Sequence, residues 1–143
     1  MPIISMNPKC KVVDASHIYG EVAIRHVEIG RDKEGQKYIN VYIQGKKFVY
    51  ACIRFTHVIG IRMLDEIDLC EFWNDYNLGN GWMYEVIEGG WLDLERTRDR
   101  FVSDSVWNER LHEYFLVEDM CLNVMSLSEP IIEDLGGDPR SQD

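Results

Sequence analysis

The stretch from Phe48 to Phe55, FVYACIRF, constrains the fold more than any other part of the chain. Apolar side chains fill both alternating sets of positions, namely Val49, Ala51, Ile53 and Phe55 on one face and Phe48, Tyr50 and Cys52 on the other. Because neither face carries a regular polar pattern, the stretch predicts a strand that is covered on both sides and central in a sheet.

The segment that follows this strand predicts a helix. Gly60 allows a bend, and Asp65 and Glu66 stand where the first turn of a helix favours acidic residues. Apolar residues then recur at helical spacing, at Ile67, Cys70 and Trp73, with Leu69 and Phe72 beside them. We therefore expect a buried strand that leads into a helix packed on its own sheet.

Alternation and turn residues predict the remaining elements. Strands are expected over residues 11–19, 22–29, 37–44, 82–87, 111–117 and 121–127, and a second helix over residues 91–101. A tight turn at Gly20-Glu21 would join the first two strands in a hairpin, and Gly45-Lys46 would lead into the Phe48 strand. The sum is an α+β fold, a mainly antiparallel sheet of about six or seven strands with two helices.

Length and composition predict one globular domain over residues 1–132. A chain of 143 residues with 45% hydrophobic residues can bury a core without disulfides or structural metal ions. The tail 133–143, EDLGGDPRSQD, has no apolar pattern and is expected to be disordered. We expect no signal peptide at the N-terminus, no membrane-spanning stretch, and four reduced cysteines in a cytoplasmic protein.

Charge is distributed unevenly along the chain. Residues 1–63 contain ten basic and five acidic residues, a net charge of +5, whereas residues 64–143 contain five basic and twenty acidic residues, a net charge of −15. The total of −10 disfavours nonspecific contact with nucleic acid or an anionic membrane. The acidic half instead favours a cationic protein partner, which would relieve its self-repulsion.

Searches for catalytic and metal-binding patterns give weak signals. The four histidines are far apart, and no spacing matches a zinc site, so we expect no metal and no cofactor. Gly89-Gly90 before a predicted helix could seat a phosphate, but Trp91 and Asp93 would crowd and repel an anion, and strand termination is the better interpretation. We predict a protein that is not an enzyme.

Large aromatic residues are interleaved with the acidic residues of the C-terminal part. Tyrosine and tryptophan anchor many protein interfaces, although tryptophans are also common in cores. The predicted partner-binding residues lie near the first helix and the Trp82 strand: Glu66, Asp68, Glu71, Asp75, Tyr76, Trp82 and Glu88.

Three segments carry a resemblance to a class of known proteins. They are RFTHVIGIRMLDEIDLCEFW (54–73), GWMYEVIEGGWLDLE (81–95) and EYFLVEDMCLNVMSLSEP (113–130). The chain resembles small acidic bacterial immunity proteins that accompany polymorphic or contact-dependent toxins. The resemblance implies that the protein neutralises one cognate toxin by forming a tight complex with it, and many such toxins are cationic nucleases.

Two other hypotheses belong to different classes. The first is a small enzyme or ligand-binding domain, with a tryptophan-lined pocket between sheet and helices and His57 or Arg54 as the polar group. The second is a homo-oligomeric structural domain that associates through an exposed strand edge.

Overall fold

A computed structural model of the chain describes residues 7–13, 22–45, 50–72, 81–107, 110–118 and 120–136. The strands in this part are β1 (Lys9–Val12), β2 (Ala23–Arg31), β3 (Lys37–Gln44), β4 (Tyr50–Thr56), β5 (Val58–Asp65), β6 (Met83–Glu88), β7 (His112–Leu116), β8 (Met120–Ser126) and β9 (Ile131–Gly136). The helices are α1 (Trp91–Arg96), α2 (Ser103–Trp107) and two single 3-10 turns, Glu66–Asp68 and Cys70–Phe72.

These strands form two antiparallel sheets. The five-stranded sheet has the order β1-β6-β7-β8-β5, and the four-stranded sheet has the order β2-β3-β4-β9. The predicted α+β class is confirmed, as a fold that is mostly sheet with few helices. The nine strands within the described ranges exceed the six or seven expected, and they divide between two sheets.

The main core lies between the two sheets. Ile39, Val41 and Ile43 of β3 and Ala51, Ile53 and Phe55 of β4 face Met83, Tyr114, Leu116, Leu122 and Val124 of the five-stranded sheet. Two smaller clusters lie on the other face of the five-stranded sheet, where the 3-10 turns contribute Leu69 and Phe72 and α1 contributes Leu92. The five-stranded sheet is therefore covered on both faces.

The prediction for β4 is confirmed. Within the described residues, β4 lies between β3 and β9, and Tyr50 and Cys52 are buried on the face opposite Ile53. The segment between β2 and β3 is a tight hairpin turn. Asp32 Oδ1 accepts hydrogen bonds from the backbone N–H groups of Glu34 and Gln36, which closes the turn.

The hairpin predicted at the start of the chain is wrong. β1 pairs with β6 at the edge of the five-stranded sheet, in the register Val12 to Tyr84, and not with β2. Apolar contacts of Cys10 and Val13 and an ion pair between Lys9 and Glu88 at 2.9 Å accompany this pairing. The predicted turn at Gly20-Glu21 and residue Lys46 lie outside the described residues.

The helix predicted after Gly60 is also wrong. His57 adopts a left-handed conformation with φ 52°, which turns the chain out of β4 directly into β5 of the other sheet. β5 then stays extended through Asp65, and only single 3-10 turns follow. Ile67, placed in the predicted apolar stripe, is 72% exposed, whereas its neighbours Leu69 and Phe72 are buried.

Two further boundaries differ from the predictions. The second helix begins at Trp91 as expected but ends at Arg96, not near Phe101, and the short α2 follows. Part of the tail expected to be disordered forms β9, in which Glu133 pairs with Cys52 and Ile132 with Ile53. Backbone pairing with β4 orders this polar segment, and composition gives no signal for such pairing. Residues 137–143 lie outside the described part.

Candidate functional site

One end of the five-stranded sheet gathers carboxylates. β5 ends at Asp65, the first 3-10 turn adds Glu66 and Asp68, and Glu71 follows in the second turn. Glu118 joins them from the β7–β8 connection, because Asp65 pairs with Met120 across the sheet. We call Asp65, Glu66, Asp68, Glu71 and Glu118 the acidic end.

Electrostatic and hydrogen-bonding effects show how close these groups are. The pKa of the Cys121 thiol is raised to about 11, mainly by burial; a hydrogen bond to the Glu118 carbonyl lowers this pKa, and the charges of Glu66, Glu118 and Asp65 raise it. Three carboxylates of the acidic end therefore act on one sulfur atom. Asp65 also fixes the turn, since its Oδ1 accepts a 3.1 Å hydrogen bond from the backbone N–H of Ile67.

Exposed apolar side chains lie among these carboxylates. Ile67, between Glu66 and Asp68, is 72% exposed, Met63 is 44% exposed and Met120 is 43% exposed. The exposed part of the Ile67 side chain is apolar area that a partner could bury. Apolar side chains beside charged ones are typical of surfaces that bind proteins.

The structure brings together only some of the predicted partner-binding residues. Glu66, Asp68 and Glu71 share the acidic end. Glu88 lies at the opposite end of β6, about 17 Å from Met83 at the usual rise of a strand, and pairs with Lys9. Trp82 is 5% exposed within the main core.

The other two predicted residues, Asp75 and Tyr76, lie outside the described residues. The expectation of one continuous surface through the first helix and the Trp82 strand is therefore not met by the five residues that the structure describes. The helix did not form as predicted, and the Trp82 side chain turned inward.

Other carboxylates of the acidic half are neutralised locally. Arg96 donates to Asp104 at 2.8 Å and to Asp93 at 3.0 Å, and Arg98 pairs with Glu95. The hydrogen bond from Arg96 lowers the pKa of Asp104. The charge of residues 64–143 is therefore not one uniform patch.

Sequence reasoning missed a buried carboxylate, that of Glu113 in β7. It is 2% exposed and accepts hydrogen bonds from the backbone N–H of Leu92 at 2.7 Å, from that of Trp91 at 3.0 Å and from Asn123 Nδ2 at 3.1 Å. Burial raises the pKa of Glu113, and these hydrogen bonds offset part of that effect. A charged residue at an inward position of an apolar strand was the available signal.

Glu113 explains the second glycine of the Gly89-Gly90 pair. A Cβ atom on Gly90 would lie 2.5 Å from Val86 Cγ1 and 2.8 Å from Glu113 Oε2, so that only glycine lets the carboxylate reach the start of α1. The chain's own carboxylate thus occupies the place where the sequence suggested a phosphate. Gly89 and Gly90 lie between the end of β6 at Glu88 and the start of α1 at Trp91, which agrees with the interpretation that they terminate a strand.

Arg62 and Asn123 extend this polar network to the surface of the sheet. Arg62 donates from Nη2 to Asn123 Oδ1 at 3.0 Å and from Nε at 3.3 Å, and its guanidinium lies 5.3 Å from the centroid of the Trp91 ring. Both Glu113 oxygens are bonded within the chain. The network is therefore suited to fixing α1 on the sheet.

The pocket hypothesis named residues that the structure separates. His57 is exposed, with Nδ1 3.1 Å from Ser128 Oγ. Arg54 lies on the outer face of the four-stranded sheet, with its guanidinium 4.5 Å from the centroid of the Tyr38 ring. Trp82 is in the main core, so that these three side chains do not line one cavity.

The molecule has two sizeable clefts lined by described residues. One, of about 330 Å³, lies between the sheets and is lined by Lys11, Val12, Val13, Glu85, Tyr114, Glu129, Pro130 and Ile132. The other, of about 360 Å³, lies between β5 and the α1–α2 segment and is lined by Trp91 among other residues. Neither cleft is lined by His57 or Arg54.

Two searches of the described residues were negative. No group of three His, Cys, Asp or Glu side chains in these ranges is placed to hold a metal ion. No helix in the same ranges has the length and apolar character needed to cross a bilayer. Cys10, Cys52 and Cys121 are free thiols, as expected for these three.

Comparison of the chain with protein-family models, with curated proteins and with solved structures finds no match. The resemblance to immunity proteins therefore stays a prediction.

Proposed function

We propose that the chain is a non-enzymatic binding protein that neutralises a cationic protein, in the manner of an immunity protein and its toxin, by docking through the acidic end. The observation that carries the proposal is the exposed Ile67 between Glu66 and Asp68, with Asp65 and Glu118 beside them. Carboxylates attract a basic surface over a distance, and the apolar side chain gives contact area once the surfaces meet.

The carboxylates of the acidic end are expected to affect the association rate more than the affinity. Exposed carboxylates contribute little affinity each, yet a cluster of one sign can raise an association rate constant roughly tenfold or more at low salt. Ile67 can supply the apolar contact, because full burial of such a side chain contributes about 1.5–3 kcal/mol. We therefore expect a fast, salt-sensitive encounter followed by slow dissociation. The free thiols and the resemblance favour the cytoplasm as its location.

The proposal predicts a basic, toxin-like protein encoded directly upstream of this chain, and the test uses that protein, purified and immobilised. We expect the triple variant Asp65→Asn, Glu66→Gln, Asp68→Asn to associate about tenfold more slowly at low ionic strength, with the difference shrinking as salt is added. The matched control, Glu34→Gln, Glu88→Gln, Glu133→Gln, makes the same change in net charge at exposed sites elsewhere.

Equal association rates for the two triple variants would refute the role of the acidic end. A second arm changes Ile67 to Ser, for which we expect faster dissociation with an unchanged association rate. If the chain binds but leaves the partner's toxic activity intact, the protein is a binding partner and not an inhibitor.

A further inference from the structure

β5 is an edge strand with an apolar groove beside it. It pairs with β8 on one side only among the described residues, so its other side presents backbone N–H and C=O groups that a further strand could bond. Along its first half, Ile59, Gly60 and Ile61 form one wall of the 360 Å³ groove, and Trp91, Phe101 and Val102 contribute aromatic and apolar surface.

Gly60 lets the side chain of Trp91 come close to β5. A Cβ atom there would lie 3.2 Å from Trp91 Cη2 and 3.2 Å from Met125 Cε, so the tryptophan ring packs directly against the strand backbone. Val102 is 58% exposed, and in α2 nearby Val106 is 64% exposed and Trp107 48% exposed. Apolar side chains left in water beside an unpaired strand edge are typical of grooves that accept an extended segment.

The two ends of β5 carry opposite charge. Glu95, Arg98 and Arg100 line the groove beside Ile59. Arg98 pairs with Glu95, whereas Arg100 makes no ion pair within the described residues, so these three side chains leave one positive charge in excess. At the other end, β5 finishes at Asp65 of the acidic end, about 20 Å from Ile59 at the usual rise of a strand. That separation exceeds the Debye length at physiological salt, about 8 Å, and the two ends therefore act on a ligand independently.

We propose that the edge of β5 binds an extended segment of a partner protein as an additional antiparallel strand. The segment is basic at its N-terminal end, apolar in the middle and acidic at its C-terminal end. Antiparallel addition continues the pairing of every neighbour in this sheet and sets the basic end at Asp65 and the acidic end at Arg98 and Arg100. The apolar middle covers Trp91 and Phe101.

This inference goes beyond the proposed function and does not rest on it. Docking of a folded cationic protein at the acidic end needs no strand addition. Strand addition shares Asp65 with the acidic end, but it also needs the groove and the arginines, which the proposed function does not use.

The experiment titrates the folded chain with two fluorescein-labelled peptides of identical composition, KKVTFTVEE and EEVTFTVKK. We expect the first to bind at least tenfold more tightly than the second. The double variant Arg98→Glu, Arg100→Glu should reverse or abolish that preference, whereas the control Arg25→Glu, Arg31→Glu, at exposed positions of β2, should keep it.

Backbone pairing is tested with N-methylated forms of KKVTFTVEE. Alternate amides of a strand point to the same edge. Methylation of the two threonine amides, or else of the two valine and the phenylalanine amides, should abolish binding, and the other series should retain it. Equal binding of the two parent peptides, retention by both methylated series, or no binding at roughly 1 mM peptide would each overturn the proposal.

A second copy of the chain is the competing occupant. Sedimentation of the wild-type chain separates the two cases. A dimer that becomes monomeric in the Arg98→Glu, Arg100→Glu variant, together with no peptide binding, would mean that this edge joins two copies, and would overturn the proposal for a partner segment. Loss of peptide binding would leave the test of the acidic end unaffected.

Discussion

Removal of the Glu113 carboxylate is expected to destabilise the fold more than removal of any exposed acid. Glu113→Ala leaves the backbone N–H groups of Trp91 and Leu92 and the amide of Asn123 without their acceptor in a buried site. Each buried donor left unpaired destabilises the fold by about 1–3 kcal/mol. The variant also no longer buries a charged group, and this offsets part of the loss. We expect a net loss of about 3–5 kcal/mol, a large share of the 5–15 kcal/mol typical of a domain.

The Glu113→Gln substitution removes the charge of the side chain and keeps its size and shape. The glutamine keeps one acceptor oxygen but turns an NH₂ group toward at least one existing donor, and we expect a loss of about 2–3 kcal/mol at neutral pH. Urea unfolding followed by tryptophan fluorescence measures both variants. Glu71→Gln, in the exposed 3-10 turn, is the control and should stay within about 0.5 kcal/mol of wild type.

The pH dependence gives a second readout for Glu113. Burial raises the pKa of Glu113 in the folded state above its unfolded value, so the folded state binds this proton more tightly. Its contribution to stability is fully present below the unfolded pKa and is lost as pH rises through the folded pKa. As the pH falls from the folded to the unfolded pKa of Glu113, the free energy of unfolding of the wild type should therefore rise relative to that of Glu113→Gln. A pH-independent difference, or a Glu113→Gln variant as stable as Glu71→Gln, would refute the reasoning.

Three further predictions concern the core, a close contact and thiol reactivity. Trp82→Ala should cost about 3–5 kcal/mol in urea unfolding and Trp107→Ala less than about 1 kcal/mol, because the first side chain is 5% exposed and the second 48%; equal losses would contradict the burial. Gly90→Ala should cost about 1–3 kcal/mol, since the added Cβ would lie 2.5 Å from Val86 Cγ1, and a neutral effect would mean that the α1 start can shift. Cys121, fully buried with a pKa raised to about 11, should react with a disulfide reagent at pH 8 only on unfolding, and rapid labelling of the native protein would show that the site opens.

Local patterns predicted the strands well where side-chain alternation decided the structure. β3 spans Lys37–Gln44 as predicted, β4 is buried on both faces, and β7 and β8 lie within the strands predicted over residues 111–117 and 121–127 to within one residue. In each case the alternation of apolar residues matches a strand with a core on at least one side, and neighbouring elements are joined by short connections.

Pairing partners and local helix geometry could not be obtained from those patterns. The apolar spacing of the segment after Asp65 matches a helix, yet Leu69 and Phe72 reach their cluster from single 3-10 turns. β1 and β9 are ordered by backbone bonds to β6 and β4, and their own composition does not reveal those partners.

The site was predicted in part for a similar reason. Glu66 and Asp68 are exposed in the 3-10 turn, as they would be on the outer face of the predicted helix, and their role in binding stays a prediction. Trp82 has the residue type of both an interface anchor and a core residue, and only the fold decides between them. Glu113 gave a weaker signal, because one acid in a strand is also typical of a solvent-facing position.

The pairing of β1 with β6 and of β9 with β4 constrains how this chain can fold. Lys9 lies opposite Glu88, and Ile53 lies opposite Ile132; each pair spans 79 positions of sequence. Pairs so far apart in sequence raise the contact order of the fold. The entropy cost of closing such long loops must be met before the stabilising contacts form, and this slows folding. We expect refolding in milliseconds to seconds and, during synthesis, an unfinished four-stranded sheet that exposes one side of β4 until its last strand has left the ribosome.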